Sequence, residues 1–126
     1  MEAQVVMSQE LPPELQHKIM QLQESQERLR ALILRRQQYE VELREVQRAL
    51  EELEKLSPET PIYKSVGTLL FLADRDKTIA ELQDKKETLE LHIKTLERQE
   101  NLARKQVEEL RQKITQSLSS TGAGGA

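Results

Sequence analysis

The residues of this chain that could take part in acid–base, nucleophilic or metal chemistry are few and widely spaced. The candidate metal ligands are His17, His92 and the carboxylates Asp74 and Asp76. The chain has no cysteine, which removes thiol catalysis, disulfides and thiolate zinc sites together. Walker A loops, H-E-x-x-H motifs and nucleophile elbows do not occur in the sequence either. The sequence therefore predicts no catalytic residue, no metal site, no cofactor and no enzymatic activity.

Each of these candidates has a structural interpretation instead. His17 and His92 fall in different predicted helices and do not face each other in the predicted register, so we interpret them as surface histidines. Asp74 and Asp76 lie where a predicted helix begins, and carboxylates there cap the first turn and complement the helix dipole. Tyr39 falls on an apolar row and is expected to fill a helix–helix seam.

The elements that must position any site are outlined by proline and glycine. All 4 prolines and all 4 glycines lie outside residues 14–57 and 74–120. Within these stretches apolar residues recur every three and four positions, which predicts one helix over about 13–56 and another over about 75–118. Proline is tolerated at the first helical position, so the first helix begins at Pro13. The second begins either with Asp74 as the cap or with a capping box of Thr78 and Glu81.

The two predicted helices are too long for a compact domain. At about 1.5 Å per residue, each would reach roughly 65 Å. The fraction of charged residues, 33%, and of aromatic residues, 2%, suits the thin seam of a coiled coil better than a thick core. We therefore expect one elongated domain over 1–126, folded back at its middle so that the helices pair antiparallel.

The apolar rows of the two helices match when the chain folds near residue 66. Leu50 then lies opposite Leu82, and Leu22 lies opposite Leu110. Three charged residues interrupt the rows, and they either fix the register or extend to solvent. These residues are Arg36, Lys86 and Glu100.

The segment between the helices predicts one β-hairpin over 62–73. Two apolar strands flank Gly67 and Thr68, and glycine first in a two-residue loop is typical of a type II′ turn. An isolated hairpin is marginal in water, and its free edges invite pairing with another chain. The predicted fold class is therefore mostly α, a long antiparallel two-helix coiled coil joined by one β-hairpin. We expect this hairpin to combine with hairpins of other chains into an intersubunit sheet or β-barrel.

Four segments of the sequence together resemble the β-type subunits of archaeal prefoldin. They are LPPELQ, ALEELEKL, IYKSVGTLL and KETLELHIKTLERQE, and the resemblance extends over about residues 11–118. The α-type subunits have a longer insert with two hairpins, whereas the segment between these helices has room for only one.

The resemblance implies a chaperone that works without ATP. Two α-type and four β-type subunits would join their hairpins in a double β-barrel, and the coiled-coil tips would hold unfolded proteins and pass them to a group II chaperonin. The resemblance places assembly on the hairpin, at Ile62, Tyr63, Val66, Gly67, Leu69, Leu70, Phe71 and Leu72. The client-binding tip would combine the start of the first helix with the end of the second.

The sequence itself has more apolar residues near this tip than a seam needs. The predicted client-binding residues are Val5, Val6, Met7, Leu11, Leu15, Ile19, Met20, Leu110, Ile114 and Leu118. Two alternatives stay open: Leu11, Leu15 and Ile19 simply close the seam, and residues 5–7 belong to a disordered leader. Residues 119–126, rich in glycine, serine and alanine, are predicted to be a disordered tail.

Two other functions compete with client holding. The chain could be a structural spacer or adaptor that oligomerises through its hairpin while the coiled coil bridges fixed partners. It could also be an RNA-contacting arm, but the net charge of −3 and the interleaved charges give no basic stripe. No apolar run approaches the length of a membrane span. We expect a cytoplasmic protein that binds neither nucleic acid nor membranes.

Overall fold

The computed structural model describes residues 11–125, and it describes the side chains as far as residue 120. Helix α1 spans Pro13–Lys55, strand β1 Ile62–Val66, strand β2 Leu69–Ala73 and helix α2 Arg75–Gly125. The predicted fold class of two long helices with one hairpin between them is confirmed. The intersubunit barrel stays a prediction.

The chain divides into two compact units. The terminal unit combines the residues up to Leu34 with those from Glu97 onward, and the hairpin unit runs from Arg35 to Leu96. The buried side chains of the terminal unit are Leu15, Ser25, Glu100, Ala103, Val107 and Ile114. Those of the hairpin unit are Val46, Leu53, Leu89, Ile93 and Leu96. Each unit therefore has a thin apolar seam, as the sequence predicted from its rows of leucine and isoleucine.

Helix α1 begins at the predicted proline. The side-chain amide of Gln16 donates to the carbonyl of Leu11 at 3.0 Å, and the Gln16 backbone N–H donates to the Pro12 carbonyl at 3.0 Å. Helix α1 ends at Lys55, one residue before the predicted end. The two prolines that follow, Pro58 and Pro61, lack a backbone N–H and cannot continue the helix.

Helix α2 begins with Asp74 as its cap. The Asp74 carboxylate accepts a hydrogen bond from the backbone N–H of Lys77 at 3.2 Å, and the Asp74 carbonyl accepts one from Thr78 at 2.9 Å. The structure thus selects Asp74 over the alternative capping box. The Asp74 carboxylate therefore caps the first turn of the helix, as the sequence predicted for carboxylates at this position.

The end of helix α2 corrects the sequence prediction. The helix continues to Gly125, whereas we predicted that it ends near 118 and that 119–126 is disordered. An existing helix extends by one hydrogen bond per residue without a new nucleus. Each glycine costs only about 1 kcal/mol relative to alanine, and the segment contains no proline. Residue 126 lies outside the described residues.

Charged residues on the apolar rows do not all reach solvent. Glu100 is only 2% exposed, and its Oε1 lies 3.7 Å from Nη2 of Arg104. Arg36 is half-buried, with its Nη1 at 2.6 Å from Oε1 of Glu40. Lys86 is half-buried as well. For Glu100 the solvent-exposed alternative is wrong, which favours the interpretation that this residue fixes register.

The hairpin has the predicted turn. Its register pairs Ile62 with Ala73 and Val66 with Leu69, so the loop contains two residues. Gly67 has a φ of 59°, and the φ of Thr68 is not positive. A type I′ turn would need a positive φ at both positions, so these signs identify the predicted type II′ turn.

Substituting Gly67 with alanine should destabilise the hairpin by about 1–3 kcal/mol, the cost of this positive-φ conformation for a residue with a Cβ. A Cβ at this position would meet nothing within 4 Å, so the loss of hairpin stability would come from backbone strain and not from a steric clash. Hydrogen exchange of the hairpin amides measures the effect. Gly67→Asn is the control, since asparagine tolerates this region better. Equal protection in the wild type and Gly67→Ala would contradict the prediction.

Candidate assembly and client-binding surfaces

The hairpin presents apolar side chains on both of its faces. Because side chains alternate along a strand, the register divides the side chains of the hairpin between its two faces. We call these the tyrosine face and the phenylalanine face, after the aromatic residue on each. The tyrosine face consists of Tyr63, Ser65, Leu70 and Leu72. The phenylalanine face consists of Ile62, Lys64, Val66, Leu69, Phe71 and Ala73.

The tyrosine face is the more exposed of the two. Leu70 and Leu72 are 71% and 70% exposed, and Tyr63 is exposed as well. Burying such side chains contributes about 1.5–3 kcal/mol each. A hairpin with this surface is therefore incomplete in a single chain.

The phenylalanine face is partly covered by its own chain. Ile62 and Ala73 are half-buried, and Nζ of Lys64 lies 3.5 Å from Oε2 of Glu81 on helix α2. Val66, Leu69 and Phe71 are exposed. The structure thus brings all the predicted assembly residues together on one hairpin, most of them uncovered.

An arginine that the sequence did not single out connects the end of helix α1 to the start of helix α2. Arg75 donates from Nη2 to the Leu53 carbonyl at 2.9 Å and from Nη1 to the Leu56 carbonyl at 3.0 Å. Carbonyls in the last turn of a helix lack intrahelical partners and carry partial negative charge. Arg75 therefore satisfies the end of α1 and fixes both connections of the hairpin.

Substituting Arg75 with alanine should lower the free energy of unfolding by about 1–2 kcal/mol, because two charge-assisted hydrogen bonds are lost. Arg75→Lys should recover only part of this, because an ammonium cannot reproduce the planar two-donor geometry. Urea unfolding of the full chain measures the difference. Arg48→Ala removes an exposed arginine of the same unit and is the matched control. Equal effects at the two positions would show that the carbonyl contacts contribute nothing.

The predicted client-binding residues occupy different environments in the terminal unit. Leu15 is 3% exposed and Ile114 is also buried, whereas Leu11, Ile19 and Leu110 are half-buried. Met20 and Leu118 are 58% and 48% exposed. The remaining three, Val5, Val6 and Met7, lie outside the described residues. Among the predicted client-binding residues that the structure describes, only Met20 and Leu118 are exposed while the helices are paired, and contact with Leu15 or Ile114 requires the helices to separate.

A groove of about 390 Å³ runs beside the start of helix α1 and the late part of helix α2. Leu15 is its apolar member, and its lining also includes Pro12, Lys18, Lys113 and Ser117. Apart from Pro12 and Leu15, the lining residues are polar or charged, and Leu15 is 3% exposed, so the groove offers little apolar surface while the helices are paired.

Some exposed apolar residues lie off the predicted rows. Leu34 and Leu102 in the terminal unit and Val41 and Leu91 in the hairpin unit are exposed. A count of apolar residues outside the heptad rows would have revealed them. They provide matched positions for testing the surfaces above.

The histidines and Tyr39 show one contact that the sequence did not predict. The rings of Tyr39 and His92 stack with centroids 5.1 Å apart and an interplanar angle of 8°, and the guanidinium carbon of Arg35 lies 5.8 Å from the Tyr39 centroid. His17 is exposed. Within residues 11–125, no group of three or more His, Asp or Glu side chains could hold a metal ion.

Neither helix, over the part of the chain that the structure describes, has a segment both long and apolar enough to cross a bilayer.

Comparison with known proteins agrees with this architecture. The family model of the prefoldin subunit matches residues 16–121. The prefoldin subunit beta of Pyrobaculum islandicum is 49% identical over 110 residues, covering 87% of this chain and 88% of that protein. The prefoldin subunit beta of Archaeoglobus fulgidus is 48% identical over 115 residues, covering 91% and 98%.

A solved structure supports the same assignment. The crystal structure of the prefoldin beta subunit from Thermococcus strain KS-1 matches with a TM-score of 0.78 and 38% identity, covering 87% of this chain and 96% of that chain. The match of sequence and fold extends over nearly the full length of these relatives. The chain therefore belongs to the prefoldin subunit family, a family of chaperones.

Proposed function

We propose that this chain is a β-type subunit of a cytoplasmic holdase that binds unfolded proteins without ATP and delivers them to a group II chaperonin. Four copies of the chain and two α-type subunits form the complex. The hairpin joins the subunits, and the tip of the terminal unit contacts the client.

The observation that carries this proposal is the uncovered hairpin. Its most exposed side chains, Leu70 and Leu72, lie on the tyrosine face, away from the Lys64–Glu81 ion pair on the other face. A two-stranded sheet is at best marginally stable by itself in water, which favours completion by other chains. Hairpins of further subunits supply both the missing strands and the missing apolar cover.

Client holding is supported by the apolar residues that remain exposed in the terminal unit. Met20 has a flexible thioether side chain that adapts to partners of different shape, and Leu118 adds a second apolar contact. Each contact is weak. Several tips on one assembly raise the avidity without any new contact, which suits reversible holding of clients that share no sequence.

Light scattering from a denatured client tests the proposal. The client is diluted into buffer that contains this chain premixed with an α-type partner and no nucleotide. We expect aggregation to be suppressed for several unrelated clients. Undiminished aggregation in the presence of a fully assembled complex would reject the holdase and favour the structural spacer, which protects no client.

Delivery requires its own measurement. A client held by the assembled complex is mixed with a group II chaperonin, and the labelled client is followed by size-exclusion chromatography. We expect the client to move to the chaperonin fraction. Retention of the client on the subunit complex at saturating chaperonin would reject delivery without affecting the holding activity.

A further inference from the structure

The terminal unit contains a second groove whose charge differs from that of its surroundings. It has a volume of about 490 Å³, and we call it the arginine groove. Its apolar members are Leu29, Ile33 and Val107, and its cationic members are Arg30, Arg104 and Arg111. Glu108 is the one acidic residue in the lining.

The arginines of this groove are available to a ligand. Arg30 pairs with Glu27 at 2.9 Å, but both side chains are largely exposed, and exposed pairs of this kind contribute little. Arg104 is 54% exposed, and one of its nitrogens, Nη2, lies 3.7 Å from the buried carboxylate of Glu100. For Arg111 no ion pair is seen within the described residues. Because a guanidinium has five N–H donors, a carboxylate entering the groove can bind the exposed donors of Arg104 while its contact with Glu100 is kept.

This charge belongs to the arginine groove and not to the whole unit. Two other grooves of the terminal unit share Lys113; one has two cations and one carboxylate and the other has two of each, whereas the arginine groove has three cations and one carboxylate. Their basic residues are Lys18, Arg28 and Lys113, and their acidic residues are Glu14, Glu24 and Glu109. A ligand that recognises charge would thus distinguish one groove from the others.

The chemistry of the groove favours a polypeptide. Its floor is aliphatic and its lining contains no aromatic side chain, whereas nucleic-acid bases bind by stacking on aromatic rings. Guanidinium groups bind carboxylates through two parallel hydrogen bonds. An aliphatic floor with an arginine rim therefore matches a segment that carries both apolar and acidic side chains.

The spacing of two arginines suits an unfolded chain. Arg104 and Arg111 are two helical turns apart, roughly 10.5 Å along α2. A polyproline II segment, a major conformer of unfolded chains, repeats every three residues and about 9.3 Å. Acidic residues at every third position would thus lie on one side of the segment at nearly the spacing of the two arginines.

We propose that the arginine groove binds extended acidic segments of unfolded clients, with their apolar side chains on the groove floor. This inference rests on the proposed holding function and specifies the class of client. Clients rich in acidic and apolar residues are held more tightly than basic clients of the same hydropathy.

Fluorescence anisotropy on the assembled complex tests the inference. The probes are three labelled peptides of equal length. Every third residue is glutamate in the first peptide, lysine in the second and glutamine in the third, and the residues between are leucine and alanine in all three. We expect the glutamate peptide to bind about tenfold more tightly than the lysine peptide, since three modest charge contacts combine. The variant R30Q/R104Q/R111Q should remove this preference. Added salt should weaken the glutamate peptide most.

The matched control is R28Q/R98Q/K105Q, which removes three cations of the same unit outside the groove. It should keep the preference for the glutamate peptide. Equal loss in both triple variants would overturn the inference, because net charge alone would then explain binding. Single-stranded RNA is added as a competitor. If the RNA binds more tightly than the glutamate peptide and displaces it, the inference is overturned in favour of a phosphate-binding groove.

Client protection separates this inference from the proposed function. We expect the assembled R30Q/R104Q/R111Q complex to keep suppressing aggregation of a basic client and to lose protection of an acidic one. Equal protection of both clients by this variant would reject the groove while holding stands. A wild-type complex that protects no client would reject the holding function. Tighter binding of the glutamate peptide would then belong to a binding activity other than client holding.

Discussion

Substituting Leu70 and Leu72 with aspartate should dissociate the assembly while the helices of each chain stay folded. Both residues are largely exposed in the single chain, so the substitutions remove little intrachain packing. In an assembly each buried leucine contributes about 1.5–3 kcal/mol. A buried unpaired carboxylate adds a further cost. Since roughly 1.4 kcal/mol corresponds to a tenfold change in affinity, the double variant should assemble at least about a hundredfold more weakly.

Sedimentation velocity of the variant premixed with the α-type partner measures this effect, and circular dichroism monitors the helices. The matched control places the same substitution on Leu34 and Leu102, which are 57% and 62% exposed but belong to the terminal unit. We expect the control to sediment as the wild-type complex does. A hairpin variant that dissociates at the same concentration as the wild-type complex in a dilution series would show that the tyrosine face is not an interface.

Both ends of α1, the start of α2 and the hairpin could be predicted because their signals are local. Prolines bound α1, and the heptad rows mark the seam without reference to any distant residue, whereas the glycines near the end of the chain do not end α2, which continues to Gly125. The predicted start at Pro13 agrees with the structure, and the predicted end of α1 differs by one residue. The turn at Gly67 followed from a short-range rule about positive φ.

The contacts that the sequence did not reveal join residues far apart in the chain. Arg75 binds the carbonyl of Leu53, 22 positions earlier, and no local pattern distinguishes this arginine from its exposed neighbours. The Tyr39–His92 stack likewise depends on side-chain geometry across the two helices of one unit. The burial of Glu100 depends on packing around its position, which a heptad pattern does not report.

Seam residues and client-binding residues could not be separated by sequence because both functions use the same residue types. Leu15 and Ile114 fit the heptad rows and are buried, while Met20 and Leu118 are exposed. For Leu15 the environment favours the alternative that it closes the seam. Its contact with clients stays a prediction that depends on separation of the helices.

Deleting residues 1–10 together with 117–126 should weaken client holding roughly tenfold or more while leaving assembly intact. The deletion removes Leu118 and the apolar residues at positions 5–7, and it leaves the hairpin unit unchanged. Several tips bind one client together, so a small loss of affinity at each tip becomes a large loss of affinity for the whole complex. Titration of the complex against a diluted client, followed by light scattering, gives the concentration needed for half suppression.

Two substitutions locate the effect within this region without shortening the chain. Met20→Ser with Leu118→Ser should raise the concentration for half suppression, whereas Leu34→Ser with Leu102→Ser should leave it near the wild-type value. Unchanged holding after the deletion would remove both terminal segments from the client site. Equal losses in the two serine pairs would show that general surface hydrophobicity, rather than the tip, holds the client.

Combining the tip and hairpin variants separates the holdase from a structural spacer. In a holdase, the tip deletion weakens protection while the complex keeps its mass, and the hairpin variant loses both, because single tips lack avidity. A spacer also needs the hairpin for assembly, but it protects no client, whether the tip or the hairpin is left unchanged. Protection that persists in a dissociated hairpin variant would contradict multivalent holding, because one chain would then bind the client tightly enough alone.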